Sequence, residues 1–281
     1  MLMIKICLDA GHYGKYNQSP CNKAYYESEA MWKLTEYLKA ELLEYKDCHV
    51  ITTRKEQEKD LALYSRGKKA KGYDLFISNH SNAVGSGINN TVDYVVVYRG
   101  YKNDKSDELG LNLAKTISRT MGTKQTPRTN TRKSEKGDWE YYGVLRGADD
   151  VGCPLFYIVE NSFHTNPKST EWLLQDANLK KLAKAQAETI AEYFKLIKPS
   201  KMPTKAITPD SPKEHIIWAQ EKLNKALPDW LPKLKIDGDY GPKTRIAVLV
   251  YWDRLGWGKH MNDDGKKIGT STRQALAEGK K

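Results

Sequence analysis

Apolar positions in residues 1–198 follow two alternating periods. Short apolar runs typical of buried strands are separated by longer segments in which apolar residues recur every three or four positions, as in an amphipathic helix. The predicted strands are 4–8, 49–52, 75–78, 93–98 and 155–159, and the predicted helices are 28–45, 61–70, 106–121 and 169–197. Residues 122–139 are polar and basic and are expected to form an exposed excursion. Alternating strands and helices predict an α/β fold with a twisted, largely parallel mixed sheet flanked by helices.

This pattern stops at residue 198, which we take as the end of a first domain. Residues 199–212 contain four prolines and little that could pack, a composition typical of a linker. Residues 213–281 are predicted to form a small all-α domain, because an Asp-Gly loop followed by an apolar helix occurs twice, at 236–248 and 264–276.

The composition narrows the choice of partners. The net charge is +11, and residues 201–281 carry 16 Lys and Arg against 10 Asp and Glu, which suits an anchor on an anionic polymer. We expect no nucleic-acid partner, because the chain has no Lys/Arg-rich helix or arm with the spacing of a nucleic-acid module. Stable membrane insertion is not expected either, because no apolar run approaches the ~20 residues that span a bilayer.

The cysteines and the first residues bear on the compartment. The four cysteines are scattered without a CxxC pair, which predicts reduced thiols. The segment 1–6 lacks the charged start, apolar centre and cleavage site of a secretory signal. We therefore expect synthesis in a cytoplasm without export by the signal-peptide route.

Candidate metal-binding and catalytic residues lie at the ends of three predicted strands, in the segments 9–12, 79–82 and 159–163. Side chains beyond the carboxyl ends of neighbouring strands converge in an open α/β sheet. A catalytic zinc site needs three protein ligands and one open position. His12 and His80 are two candidate ligands, and the third is expected to be a carboxylate near the start of the first helix, where the spacing fits Glu27 and Glu29 equally.

Two further candidate residues lie in the third segment and directly after it. Glu160 directly follows an apolar strand, where desolvation should raise the pKa of its carboxyl group toward the range of a general base. His164 is a rival metal ligand, although a wall-lining or substrate-contact role is preferred. The other histidines, His49, His215 and His260, are expected to be structural or surface residues.

The motifs, taken in order, resemble the zinc-dependent N-acetylmuramoyl-L-alanine amidases, which are cell-wall hydrolases of bacteria and their phages. The family's DxGHG-like opening matches 9–12, although Tyr13 replaces the glycine that usually follows the histidine. The later family motifs match Thr53-Arg54, Leu63 to Arg66, Asp74 to Ala83, and Glu160 with Phe163 and Asn166. These matches cover residues 4–197.

The resemblance implies roles for these residues. His12, Glu27 and His80 would bind Zn²⁺, and Glu27 is favoured over Glu29 when the apolar stripe of the first helix is aligned with the family. Glu160 would be the catalytic carboxylate. Arg146 belongs to a Leu-Arg pair that the family often has, and it is predicted to contact the acidic stem peptide.

The small domain resembles the three-helix peptidoglycan-binding module often appended to wall hydrolases, through the motif D-G-x-Y-G-P-x-T-x-x-A-V at 237–248. Tyr240, in a turn, is predicted to contact glycan, whereas Trp252 is equally suited to the core.

The predicted function is that of an N-acetylmuramoyl-L-alanine amidase. It would cleave the amide between N-acetylmuramic acid and L-alanine with zinc-activated water while the C-terminal module holds bacterial peptidoglycan. Without a signal peptide, a phage endolysin acting from the host cytoplasm on the cell wall is the expected origin. The alternatives are a zinc carboxypeptidase acting on stem peptides and a non-catalytic wall-binding protein, against which Glu160 argues.

Overall fold

The chain divides into two compact units, Met1–Lys198 and Pro199–Lys281. The structure is a computed structural model that describes residues 3–103, 106–257 and 264–281. The division falls where the predicted linker begins. No helix in the described part of the chain is both long and apolar enough to cross a membrane.

The first unit is built on a six-stranded sheet with the order β2-β1-β3-β6-β4-β5. Neighbouring strands are parallel except β4 and β6, which are antiparallel. The strands are β1 Ile4–Ala10, β2 Cys48–Thr52, β3 Leu75–Asn82, β4 Val96–Arg99, β5 Arg128–Asn130 and β6 Leu155–Phe163. The predicted α/β fold with a largely parallel mixed sheet is thus confirmed.

Helices cover both faces of this sheet. They are α1 Glu27–Leu42, α2 Leu63–Lys68, α3 Asp107–Met121, α4 Gly143–Asp150, α5 Pro167–Leu174 and α6 Asp176–Phe194. Side chains alternate along β6: Tyr157 and Val159 join the core with α1, α3 and α6, whereas Phe156 and Ile158 join the core with α4. Residues two apart on a strand therefore lie on the same face of the sheet. An odd or even position in β6 thus determines on which face a side chain lies.

Three elements differ from the sequence prediction. The short strand β5 lies inside the predicted excursion, where its three mostly exposed polar residues give no apolar signal. The eight-residue helix α4 was not predicted, because two glycines interrupt its apolar pattern. The segment predicted as a long helical region, 169–197, consists of two helices separated at Gln175, whose extended backbone (ψ 117°) breaks the helical path.

The second unit contains α7 Lys213–Ala226, α8 Pro242–Arg254 and α9 Thr270–Ala277, and the prediction of a small all-α unit is confirmed for its described residues. The repeated sequence has a repeated geometry. Gly238 and Gly265 both have φ 74°, a left-handed conformation that glycine adopts without strain. Thr244 and Thr272 are both buried in the first turn of the helix that follows.

Part of the segment predicted as a linker packs into this second unit. Ile207 is fully buried and exchanges two backbone hydrogen bonds with Ile268. The carbonyl of Pro203 accepts a hydrogen bond from the Arg273 guanidinium. The proline-rich composition does not predict this packing. One buried isoleucine and main-chain hydrogen bonds are enough to fix the segment, and neither changes the composition.

Candidate functional site

The predicted metal ligands lie at the carboxyl edge of the sheet. His12 follows β1, His80 lies near the end of β3, and Glu27 is the first residue of α1. His12 has φ 60°, a left-handed conformation that turns the chain back over the strand end. Gly11 leaves room for the His80 ring beside this turn, because a Cβ there would lie 2.5 Å from the Cε1 atom of His80.

These three side chains converge on one point. One donor atom from each of His12, Glu27 and His80 lies within 4.8 Å of the others. His80 Nδ1 is 2.9 Å from Glu27 Oε1, and His12 Nε2 is 3.4 Å from Glu27 Oε2. Two imidazole nitrogens and one carboxylate are a donor set that suits a catalytic zinc ion. Glu29 is not part of this cluster, so the geometry agrees with the choice of Glu27.

The charges in the cluster also fit a cation. Burial by itself would raise the pKa of Glu27, but its hydrogen bond with His80 and the charges of His80, His12 and His164 lower it to about 2. Burial opposes the charge on His80, yet Glu27 raises the pKa of His80 to about 9. Burial lowers the pKa of His12. Glu27 is therefore an anion that needs a positive partner, either the His80 proton or a metal ion in its place.

Glu160 stands beside the cluster on the same face of the sheet. It is the register partner of His80 in the parallel β3–β6 ladder, and register partners project to the same side. Its Oε2 is shielded from solvent and has no hydrogen-bond partner among the residues that the structure describes. Burial raises the pKa of Glu160 to about 7, with His80 opposing and Glu27 adding to the shift. Such a group can accept and return a proton near neutral pH.

Asn17 is a member of the site that sequence reasoning missed. Its side-chain Nδ2 donates to Glu27 Oε2 at 2.7 Å and lies 3.0 Å from His12 Nε2. An asparagine in an irregular loop carries no periodic or motif signal, so only the fold reveals this contact.

The motif residues around the cluster hold the end of β1 in place. Asp9 is buried and accepts hydrogen bonds from Thr53 at 2.5 Å and from Ser78 at 2.7 Å. The carbonyl of Ala10 accepts from Arg54 at 2.7 Å and from Arg66 at 3.1 Å. These side chains fix the turn that aims His12.

His164 is close to the cluster but is not one of its donors. The residue is buried, its Nδ1 lies 2.9 Å from the Ser81 carbonyl oxygen, and the same nitrogen is 3.9 Å from Glu27 Oε2. This burial does not favour the wall-lining or substrate-contact role that was preferred from the sequence. Among the other histidines, His49 stacks on Tyr73, and His260 lies outside the described residues.

The two residues predicted to bind substrate have different surroundings. Arg146 lies in α4, donates to the Glu140 carbonyl and lines a cavity of about 570 Å³. Tyr240 is buried in the second unit, and its hydroxyl donates to the carbonyl of Gly265 at 2.8 Å. The structure thus does not present Tyr240 to a glycan, because its turn folds the ring into the core.

The second unit offers another aromatic surface. A cavity of about 490 Å³ is lined by Trp252, Trp257, Lys267 and the first turn of α9. Trp252 is mostly buried and donates from Nε1 to Thr272, so it forms the floor of the cavity. Trp257 is partly exposed.

Residues 6–192 match the family model described as N-acetylmuramoyl-L-alanine amidase. No curated protein sequence matches the chain significantly.

Solved amidases share the fold of the first unit. An N-acetylmuramoyl-L-alanine amidase from Clostridium difficile 630 is 22% identical with a TM-score of 0.58, and the match covers 68% of this chain and 97% of that one. The catalytic domain of CwlV from Bacillus (Paenibacillus) polymyxa var. colistinus is 19% identical with a TM-score of 0.57, covering 69% and 99%. The amidase AmiC2 of Nostoc punctiforme is 22% identical with a TM-score of 0.56, covering 68% and 97%. With a family model that spans most of its length, a matching fold and the expected residues gathered at one strand edge, this chain belongs to the N-acetylmuramoyl-L-alanine amidase family.

Proposed function

We propose that the protein is a zinc-dependent amidase that cleaves peptidoglycan between the lactyl group of N-acetylmuramic acid and the L-alanine of the stem peptide. The observation that carries the proposal is the convergence of His12, Glu27 and His80 within 4.8 Å, with the unpartnered carboxylate oxygen of Glu160 on the same face. Three protein donors of these types fit a catalytic zinc ion, whose fourth coordination position is left for water or substrate.

Each residue has a defined task in this reaction. A bound zinc ion would polarise the scissile carbonyl and lower the pKa of water. Glu160, with a pKa of about 7, takes a proton from the attacking water and passes it to the departing amine. Glu27, ionised and held by the backbone N–H of Ser81 at 3.0 Å, keeps the metal-binding side of the site anionic.

The experiment that tests this function is digestion of purified peptidoglycan with and without prior chelation, with the new termini identified by mass spectrometry. We expect new N-terminal alanine on intact stem peptides, lost after chelation and restored by zinc. Free amino acids would instead support the carboxypeptidase alternative. New reducing sugar ends would contradict the proposal.

The variant Glu160→Gln separates catalysis from binding. Removing the proton acceptor should lower the rate of stem-peptide release by about 10²- to 10⁴-fold. Zinc content, measured by atomic emission, should not change because Glu160 is not one of the clustered donors. Release at the wild-type rate would contradict the assigned role and leave the mechanism without a base.

The second unit is proposed to hold the protein on the wall through the cavity at Trp257. The partly exposed ring of Trp257 beside the hydroxyls of Thr270 and Ser271 suits a sugar face, which stacks on the ring while polar groups fix its orientation. Sedimentation with purified sacculi measures this in the Glu160→Gln background, where the wall stays intact. Trp257→Ala should lower the bound fraction, whereas Trp230→Ala, which alters a tryptophan that is 74% exposed elsewhere in the unit, should not.

The endolysin role predicted from the sequence remains a prediction. Lysis of intact cells from within, only after the inner membrane has been permeabilised, would support it.

A further inference from the structure

Two exposed tyrosines stand beside the metal cluster and take no part in the proposed reaction. Tyr13 is 38% exposed and Tyr16 is 51% exposed, so each presents a large apolar ring to water. Tyr13 is also the residue at which the sequence departs from the family's usual histidine-glycine opening. We call these two side chains the tyrosine platform.

The tyrosine platform is joined to a metal ligand by ring stacking. The Tyr16 ring lies 5.0 Å from the His12 imidazole with an interplanar angle of 9°, and the Tyr13 ring lies 6.2 Å from the Tyr16 ring at 22°. Carbon atoms of stacked rings touch at about 3.5–4.0 Å, so rings whose centroids are this far apart overlap only at their edges. Part of each tyrosine face therefore stays uncovered, and the platform extends from His12 into solvent.

The loop that carries the platform is fixed by hydrogen bonds. Between the two tyrosines, the Gly14 N–H donates to the Gln57 carbonyl at 3.1 Å. The Gly14 carbonyl accepts from Gln57 Nε2 and from Ser28 Oγ, both at 2.6 Å. The Tyr16 N–H donates to the same Ser28 Oγ at 2.9 Å. The backbone at and beside both tyrosines is thus held, and the rings are presented to solvent in a fixed place.

The position of Glu160 determines which half of the substrate meets the platform. The sheet order β1-β3-β6 separates the strands that lead to His12 and Glu160 by about 10 Å, with β3 between them. Glu160 returns its proton to the departing amine, so the alanine side of the scissile amide lies toward β6. The acyl side, which is the lactyl group with its sugar, then extends toward β1 and the platform.

The chemistry of the platform suits this acyl half. The faces of a pyranose ring carry C–H groups that pack on an aromatic ring, and the amide bond leaves the lactyl group without a charge. The tyrosine hydroxyls are uncharged donors and acceptors that match sugar hydroxyl and acetamido groups. Lys15, which lies between the two tyrosines in sequence, is placed over the Tyr26 ring at 5.7 Å.

We propose that Tyr13 and Tyr16 form a sugar-binding platform on the acyl side of the scissile amide. The pyranose face of N-acetylmuramic acid stacks on the uncovered part of the Tyr16 ring, and the glycan strand continues over Tyr13. The proposal rests on the proposed function, since that function defines the acyl side. It makes Tyr13 a specificity-determining residue of this chain that the usual glycine of the family cannot replace.

Two soluble substrates with the same scissile amide test this assignment. N-acetylmuramoyl tripeptide carries the sugar, whereas D-lactoyl tripeptide has the same amide without it. The wild type should prefer the muramoyl substrate in kcat/KM. In Tyr16→Ala this preference should fall about tenfold, mainly through KM for the muramoyl substrate. Tyr13→Gly should lower it in the same direction, and Tyr16→Phe, which keeps the ring, should retain it.

Tyr64→Ala is the matched control. It removes a tyrosine that is 37% exposed from α2, away from the platform, and should leave the substrate preference unchanged. Zinc content, measured by atomic emission, should be equal in all variants, because the clustered donors are His12, Glu27 and His80.

A binding experiment examines the platform without turnover. The probe is the disaccharide N-acetylglucosaminyl-N-acetylmuramic acid with its lactyl carboxyl group amidated. The full-length protein carries Glu160→Gln to prevent cleavage and Trp257→Ala to remove the proposed sugar contact of the second unit. Saturation-transfer NMR should detect the bound disaccharide in this protein, and adding Tyr16→Ala should remove most of the signal.

Three results would overturn the inference. An equal loss on both substrates in Tyr16→Ala would mean that the ring only shields His12. A loss that follows the length of the stem peptide would assign the platform to the peptide. Disaccharide binding that does not depend on Tyr16 would exclude the stacking contact. If the wild type cleaves neither substrate while Tyr16 is still needed for disaccharide binding, the proposed function fails and the platform stands, and peptidoglycan digestion identifies that case separately.

Discussion

Asn17 places one amide nitrogen against two predicted metal ligands at once. Its Nδ2 donates to Glu27 Oε2 and lies 3.0 Å from His12 Nε2, a contact that is a hydrogen bond in the tautomer whose Nε2 carries a lone pair. The same tautomer binds a metal through Nε2, and a bound ion would take that lone pair in place of the Asn17 N–H. The residue therefore orients both ligands before the ion arrives.

From this contact we expect Asn17→Ala to weaken zinc binding by about 10- to 100-fold, the usual effect of removing a group that orients a ligand. Competition with a fluorescent zinc chelator measures the affinity without reference to activity. Gln18→Ala is the matched control, since Gln18 bonds to Lys23 and Tyr26 in the same loop. An unchanged affinity in Asn17→Ala would show that the loop backbone alone sets the ligand geometry.

Glu140 is a buried carboxylate away from the metal cluster. Its Oε1 accepts a hydrogen bond from the Tyr101 N–H, and its Oε2 has no partner within the described protein. Burial raises the pKa of Glu140 to about 7, which the Tyr101 N–H and Arg99 oppose and Asp149 increases. The native state thus keeps a proton on Glu140 that the unfolded chain releases near pH 4.5.

The raised pKa of Glu140 makes the native state less stable as the pH rises. Between pH 4.5 and 7 the native state binds more protons than the unfolded state, so the free energy of unfolding falls as pH rises through this window. Glu140→Gln should remove this contribution, which amounts to at most about 3 kcal/mol. Urea unfolding of both proteins at pH 5 and pH 8 measures the difference. If the free energy of unfolding changes equally with pH in the wild type and in Glu140→Gln, Glu140 has an ordinary pKa.

Among the elements, α2 and α4 cross unusually closely. A Cβ on Gly67 would lie 2.0 Å from the Val144 carbonyl oxygen, and one on Gly147 would lie 2.2 Å from the Tyr64 carbonyl oxygen. The two helices therefore touch through their backbones. This contact also places Arg66 of α2 against the end of β1, where it holds the turn before His12.

Gly67→Ala is accordingly expected to destabilise the protein by about 1–3 kcal/mol, the usual range for forcing an extra methyl group into a packed interior. It should also lower amidase activity through Arg66. Gly87→Ala is the control, because a Cβ there meets nothing within 4 Å. Chemical denaturation monitored by circular dichroism measures the free energy of unfolding of both variants. Equal stability of the two variants would contradict the backbone contact.

At the scale of the whole molecule, the two units have separate hydrophobic cores. The described buried core residues of the first unit, here called the catalytic unit because it contains the proposed site, end at residue 190, and those of the second unit begin at residue 207. Each unit therefore has its own source of hydrophobic stabilisation.

A fragment of residues 1–198 should therefore keep the thermal unfolding transition of the catalytic unit and its rate on a soluble muropeptide. Its sedimentation with sacculi should fall, since the proposed wall contacts lie beyond residue 198. Calorimetry measures the unfolding transition, and the muropeptide and sedimentation assays measure activity and wall binding. A fragment that fails to fold would show that the catalytic unit depends on the second one.

Much of this protein is encoded locally. The two hydrophobic periods predicted the sheet, most of the helices and the small all-α unit, because they report directly which face of each element is buried. Strand ends followed by small and polar residues predicted that His12, His80 and Glu160 lie at one edge of the sheet, as the structure shows. Family resemblance then named Glu27 where spacing left two candidates.

The tertiary structure decided what depends on contacts between distant segments. Only packing brings Asn17 to Glu27, buries Tyr240 under its own turn, and fixes α4 against α2 through two glycines. It likewise places Ile207 of a proline-rich segment in a core and builds a cavity around Trp139. A local pattern records the burial of an element's face, but it does not record which partner lies across from it, and that partner determines the position and chemistry of these side chains.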